Sequence, residues 1–158
     1  CGNGLEIIKD SEIIDTIIIS GMGGLLTIDV LKSNEKAVKN ANQLILQPQR
    51  DIEKVRAYLH SINYKIINEE MLIEAGKYYT IINAIKGIDE EYSEIEYYFG
   101  KFLLNKKSAV LKKFIDHEYK KINIVLDNIS NNAVENADER ISQLKHLKSL
   151  YEEALKCL

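Results

Sequence analysis

The apolar positions of this chain change their spacing once, near residue 90, and the change divides the chain into two kinds of pattern. Ahead of that point, short apolar runs alternate with helical stretches. The densest run is Thr16-Ile17-Ile18-Ile19-Ser20, opened by Asp15 and stopped by Gly21, Met22, Gly23 and Gly24. A β-branched run closed by glycines predicts a strand over residues 14–20 that is buried on both faces, the kind found in parallel sheets. Leu25, Leu26, Ile28, Val30 and Leu31 open a helical period, predicting a helix over residues 25–40 with Leu26, Val30, Ala37 and Val38 on one side. Leu44-Ile45-Leu46 is a second buried strand, and Gln47-Pro48-Gln49 ends it because proline cannot continue a central ladder. Asp51 is the expected N-cap of a helix over residues 52–62, which carries Ile52, Val55, Leu59 and Ile62 at helical spacing. Residues 64–74 and 78–86 alternate as strands, and Ala75-Gly76-Lys77 between them predicts a hairpin with Gly76 supplying the turn. At the front of the chain, Gly2-Asn3-Gly4-Leu5 reads as a turn, followed by a short amphipathic turn through Leu5, Ile7 and Ile8.

Gly87 and the acids Asp89, Glu90 and Glu91 break this pattern. Beyond them Leu104, Leu111, Ile115, Ile122, Val125 and Ile129 recur every three to four residues, interrupted by Ser108 and Glu118. Residues 128–132 form a polar break. Ala137, Ile141, Leu144, Tyr151, Leu155 and Leu158 then repeat the stripe, with Lys148 as its exception. Two such helices joined by a short loop predict an antiparallel helical hairpin or coiled coil. The expected architecture is therefore α/β over residues 1–88, the C-terminal half of a doubly wound sheet ending in an antiparallel hairpin, followed by an all-α coiled-coil domain over residues 89–158.

Composition narrows the class. Of 158 residues, 46% are hydrophobic and 28% charged, which suits a soluble globular chain. No apolar run approaches the length of a membrane span, and the start has no signal-peptide layout, so no membrane partner is expected. The two cysteines, Cys1 and Cys157, stand at opposite ends and suggest neither a disulfide framework nor a metal site, so a reducing cytoplasm is the default. The net charge of −3 conceals an asymmetry: residues 1–100 carry 10 Lys+Arg against 16 Asp+Glu, and residues 101–158 carry 11 against 8. A basic second module fits an acidic partner.

Several chemistries find no residues to carry them. His60, His117 and His146 all fall within helical patterns and are expected at the solvent-exposed surface; no Ser or Cys occupies a G-x-S-x-G elbow. No His, Cys and Asp cluster has metal-ligand spacing, and no lysine follows the glycines as in a phosphate-binding loop. What remains is a pair of strand ends, Gly21 to Gly24 and Gln47 to Gln49, expected side by side in a parallel sheet. The first is nearly free of side chains and the second offers amides and a rigid proline, so together they suit a planar base. The plain alternative is that the glycines only make a tight turn. Asn3 upstream is either a turn residue or a ligand contact. On the second module Lys106, Lys107, Lys112 and Lys113 lie among Lys101, Lys120, Lys121, Arg140, Lys145 and Lys148, with Phe114 and Tyr119 interleaved. Such a face is either solvated surface or a phosphate-backbone contact.

Read together, these segments resemble the bacterial tRNA adenine-N1 methyltransferases that act on adenine 22. The likeness is carried by G-N-G-L from Gly2 to Leu5, D-T-I-I-I-S-G-M-G-G from Asp15 to Gly24 and L-I-L-Q-P-Q from Leu44 to Gln49. It continues through Val55, Arg56, Tyr58 and Leu59, through Gly76, Lys77 and Tyr79, and through Phe99-Gly100. The resemblance implies a class I methyltransferase fold using S-adenosylmethionine, with a C-terminal coiled-coil domain that helps hold tRNA. It places Asn3 and Gly4 near the adenine of the cofactor. Gly21, Met22, Gly23 and Gly24 fall at the catalytic motif beside the methyl group, Gly21 and Met22 also facing the cofactor. Gln47, Pro48 and Gln49 would border the target pocket, although the family carries asparagine where Gln49 stands. The glycine-rich first motif and the acidic residue that hold the methionine and ribose of the cofactor should precede Cys1, so the chain is expected to be N-terminally truncated and to lack the main cofactor-binding motif.

Adenine N1 has its own lone pair and a sulfonium methyl is already activated, so transfer chiefly needs alignment, not a strong base. N1 lies on the Watson–Crick edge, so the base must be unpaired or turned out of its stack. The rival reading is a non-catalytic α/β and coiled-coil protein that binds another protein or RNA. The encoding gene upstream of Cys1 separates the two. Residue pattern leaves the oligomeric state open, with a monomer preferred.

Overall fold

The β-branched runs become a four-stranded mixed sheet in the computed structural model, which describes residues 4–9, 12, 14–131 and 138–158. Strands β1 (Thr16–Met22), β2 (Gln43–Pro48), β3 (Tyr64–Glu74) and β4 (Lys77–Lys86) lie in the order β1-β2-β4-β3. β1 and β2 are parallel, with Ile17 opposite Leu44 and Ile19 opposite Leu46, while β4 runs antiparallel to both neighbours. Helices α1 (Gly24–Lys32), α2 (Glu35–Asn40) and α3 (Ile52–Ser61) occupy the connections. The chain separates into two compact units, Cys1–Ser93 and Glu94–Leu158.

In the first unit, alternate positions of the strands turn one face toward the helices. Ile17, Ile19, Leu44, Leu46, Ile66, Ile82 and Ala84 are buried there with Leu31, Val55 and Leu59. β1 departs from expectation. Among the described residues it is an edge strand, and while Ile17 is 5% exposed, Ile18 on the other face is 68% exposed. β-Branched composition reports strand propensity and says nothing about what covers the second face. The strand also runs on through Gly21 and Met22, which the residue pattern gave to the turn.

The single helix expected over residues 25–40 is two. Asn34 sits between them with its side-chain oxygen accepting from Ala37 N at 3.0 Å, an N-cap that starts α2 afresh. Its Nδ2 donates to Leu5 O and Ile8 O at 3.1 and 3.2 Å, fastening the short 3-10 helix Gly4–Ile7 and the residue after it. Asp51 does stand at the N-cap of α3, but in the left-handed region (φ 53°) and without a side-chain cap. Its carboxylate pairs with Lys54 at 2.6 Å instead. The hairpin turn is tighter than expected: Ala75 (φ 47°) and Gly76 (φ 76°) make a two-residue turn, and Lys77 already belongs to β4.

Two polar groupings lie inside this unit. Arg56 on α3, 1% exposed, donates from Nε to Glu69 Oε1 on β3 at 2.7 Å, and Glu69 is fully buried. His60 is not the surface residue expected. Its side chain is 13% exposed, 3.4 Å from Asp89 Oδ2, and its ring meets Tyr92 edge-on at 4.5 Å. The expectation failed because helical spacing alone did not reveal that the segment after β4 folds back over α3; there Asp89 accepts from Ile66 N at 3.0 Å. Burial pushes the Tyr92 phenol far above its ordinary value, and the charges of Asp89 and Glu69 push the same way.

The described residues of the second unit form four helices: α4 (Glu94–Phe99), α5 (Lys101–Asn105), α6 (Ala109–Asn131) and α7 (Asp138–Cys157). The stripe from Leu104 to Ile129 is not one helix. Lys106 and Lys107 (φ 49°) make a turn between α5 and α6, and Ser108 Oγ then accepts from Leu111 N at 3.3 Å. Leu111, Ile115 and Ile122 are buried, whereas Val125 is 40% exposed. α6 continues through Asn131, past the polar break expected from residue 128, while Asn132 and Ala137 lie outside the described residues. Lys148, the exception in the α7 stripe, has a reason to face α6: its Nζ lies 5.4 Å from the centre of the Tyr119 ring, whose hydroxyl donates to Glu152 Oε1 at 2.8 Å.

Candidate active site

Parallel pairing of β1 and β2 puts their carboxyl ends together, and a small irregularity there shapes the site. The register shifts between Ser20 and Met22, so that Met22 stands opposite Pro48 and Gly21 bulges out. Gly21 takes φ +79°, a conformation that side chains disfavour, and the space where its Cβ would stand is empty to 4 Å. Gln47 holds this bulge: its Oε1 accepts from Gly21 N at 2.9 Å. Its Nε2 is buried with no hydrogen-bond partner among the described residues, a donor that the site leaves unsatisfied.

Two backbone bonds then tie the ends together. Gln49 N donates to Met22 O, and Gly24 N to Arg50 O, each at 2.8 Å. Gly24 has no room for a side chain, since an added Cβ would stand 2.6 Å from Asp51 O and closer still to Arg50 O. Gly23 differs: among the described residues the only atom within 4 Å of its missing Cβ is Arg50 Nη2, at 3.9 Å. Thr27 secures the first turn of α1, its N and Oγ1 both donating to Gly23 O at 2.9 and 3.1 Å. The two glycines that must be glycine thus fix the loop, and the third leaves an opening. Pro48 is buried, while Met22 and Gln49 are exposed.

The remaining candidates are elsewhere or undescribed. Gly4 (φ +54°) abuts Val30, with an added Cβ 3.1 Å from Val30 Cγ1, in a cleft also lined by Glu6, Leu26 and Asp29. Asn3 lies outside the described residues. Lys106, Lys107, Lys112 and Lys113 are all exposed; the first two sit in the turn before α6 and the others on α6 itself. Residue pattern overlooked Arg50. Its position directly after Q-P-Q, as a cation in the acidic half of the chain, was the available clue. Among the described residues, no group of three His, Cys, Asp or Glu is placed to hold a metal ion, and no helix is long and apolar enough to cross a membrane.

Comparison with known proteins gives the arrangement its class. A protein of Listeria monocytogenes serotype 4b, described only as uncharacterized, superposes with a TM-score of 0.91 at 32% identity, covering 98% of this chain and 68% of that one. A Streptococcus pneumoniae protein, a putative tRNA (m1A22) methyltransferase solved in complex with S-adenosyl-L-methionine, superposes at 0.85 with 28% identity, over 98% of this chain and 66% of its own. The fold is thus a Rossmann-like methyltransferase fold. The family model for tRNA (adenine(22)-N(1))-methyltransferase matches residues 1–151. The tRNA (adenine(22)-N(1))-methyltransferase of Bacillus subtilis strain 168 is 32% identical over 98% of this chain and 67% of its own length. The chain belongs to this family of S-adenosylmethionine-dependent tRNA methyltransferases, and it spans about two thirds of the length of the relatives it matches.

Proposed function

We propose that the opening between the GMGG and Gln47-Pro48-Gln49 strand ends receives adenine 22 of tRNA, turned out of its stack, and presents its N1 for methylation. The observation that carries this reading is the opening over Gly21 and Gly23, bordered by backbone and by one unsatisfied amide donor, Gln47 Nε2. These residues fit the reacting end of the cofactor, because a wall with few side chains tolerates both a flat base and a methyl group. S-Adenosylmethionine supplies an activated sulfonium methyl there. Met22 and Gly21 would border it, with Asn3 and Gly4 toward its adenine. Gln47 fixes the Gly21 bulge, Pro48 stiffens the opposite wall, and Gln49 faces the entering nucleotide. No residue of this wall is a base, which suits a nucleophile that already has a free lone pair.

In this reading residues 1–88 act as the Rossmann-like methyltransferase domain. Residues 89–158 act as a helical arm, an antiparallel coiled-coil hairpin of α6 and α7, that holds tRNA through Lys106, Lys107, Lys112 and Lys113. The enzyme works in the cytoplasm, where tRNA is, as a monomer. The test is methyl transfer from labelled S-adenosylmethionine to unmodified tRNA by full-length protein, with Gly23→Val as the probe. An added Cβ at Gly23 meets only the end of the Arg50 side chain among the described residues, so the variant should keep its melting temperature and lose at least about a hundredfold in rate by displacing the base. Folded wild-type protein that leaves the tRNA unlabelled would overturn the reading, as would a fully active Gly23→Val.

A further inference from the structure

We infer that Arg50 binds a backbone phosphate of the RNA strand whose base enters the opening. The inference rests on the active-site reading above and adds a substrate contact to it. Arg50 Nη2 comes 3.9 Å from the position a Cβ would take on Gly23, so the guanidinium stands at the rim of the opening. The side chain is exposed, and among the described residues it has no hydrogen-bond or ion-pair partner. The acid beside it in sequence, Asp51, is taken by Lys54 at 2.6 Å. The other arginine of the unit, Arg56, is buried against Glu69.

The base of the Arg50 side chain is nevertheless well fixed. Its carbonyl accepts from Gly24 N, and the preceding amide, Gln49 N, is bonded to Met22 O, each at 2.8 Å. An exposed cation on an anchored backbone, beside the side-chain-free positions Gly21 and Gly23, is placed to meet what is covalently attached to a base entering there. A guanidinium matches two phosphate oxygens with its parallel N–H donors, which a point charge does not. Such a contact positions the strand without reading sequence. General basicity does not account for its presence, since residues 1–93 carry 10 Lys+Arg against 14 Asp+Glu.

The experiment measures tRNA affinity of the full-length protein across a salt series, for wild type, Arg50→Ala and Arg50→Lys, alongside S-adenosylmethionine binding and melting temperature. For Arg50→Ala, affinity should fall about tenfold and the slope of log K against log salt should shrink by about 0.7–0.9, the value of one phosphate contact. Cofactor binding and melting temperature should stay as in wild type. Arg50→Lys should restore the slope but only part of the affinity. Unchanged affinity and slope in Arg50→Ala would overturn the inference while leaving the methyltransferase reading intact. So would a loss of binding matched by a loss of melting temperature, which would mark a structural role. Absence of methyl transfer by wild type with a slope change intact would instead overturn the active-site reading and keep the phosphate contact.

Discussion

Removing either partner of the Arg56–Glu69 pair should cost far more than removing both. The two charges meet at 2.7 Å with 1% and 0% of their side chains exposed, so neither is solvated once its partner is gone. Glu69 Oε2 already has no hydrogen-bond partner among the described residues, so the carboxylate depends heavily on this bond. Breaking a buried ion pair by removing one partner costs about 3–5 kcal/mol. For a unit of this size each kcal/mol moves the melting temperature by about 4–8 °C, so Glu69→Leu or Arg56→Met alone should lower it by at least about 12 °C. The double variant Arg56→Met with Glu69→Leu replaces the pair by apolar side chains of similar volume, and such swaps are near neutral or stabilising. It should therefore melt within a few degrees of wild type. Urea and thermal unfolding followed by circular dichroism on all four proteins close the cycle. The reasoning fails if the two single losses add to the double loss within about 0.5 kcal/mol, the behaviour of independent sites.

Other consequences can be checked as directly. Ala75 takes φ 47° in the first turn position, where an L side chain other than Asn or Gly is strained, so Ala75→Asn should stabilise the first unit by about 1 kcal/mol in urea unfolding. Bonds from Asn42 Nδ2 and then Thr16 Oγ1 hold the Asp15 carboxyl below its ordinary 3.8. Because the folded value is the lower one, its contribution is present above the ordinary value and lost as pH falls through the folded one. A pH series of unfolding for Asp15→Asn should accordingly show a flatter acid limb than wild type. Changing Lys106, Lys107, Lys112 and Lys113 together to alanine should weaken tRNA binding and reduce the salt slope by up to about 3, and an unchanged slope would return these lysines to ordinary surface.

Residue pattern by itself determined the order of the strands along the sheet unit and where helices fall between them, because strands and helices bury their faces with different periods. The run Ile17-Ile18-Ile19, the Leu44-Ile45-Leu46 run ended by Pro48 and the Gly76 hairpin each declare themselves within a few residues. The GMGG and Q-P-Q segments also marked the two strand ends worth attention. That they would stand side by side was expected from the pattern; what only the structure decided is the register shift that sets Met22 opposite Pro48 and bulges Gly21. Where a side chain faces a distant segment, local pattern carries no information. Asn34 breaks the helix by bonding to Ala37 and by holding Leu5 and Ile8. His60 is half-buried because Asp89 and Tyr92 return over it. Lys148 interrupts its stripe to reach a ring on the other helix. The three glycines after β1 look alike in sequence, yet one answers to φ, one to the carbonyls of Arg50 and Asp51, and one leaves an opening. Spacing along a chain encodes which way a residue points relative to its own element; only the assembled backbone decides what stands opposite.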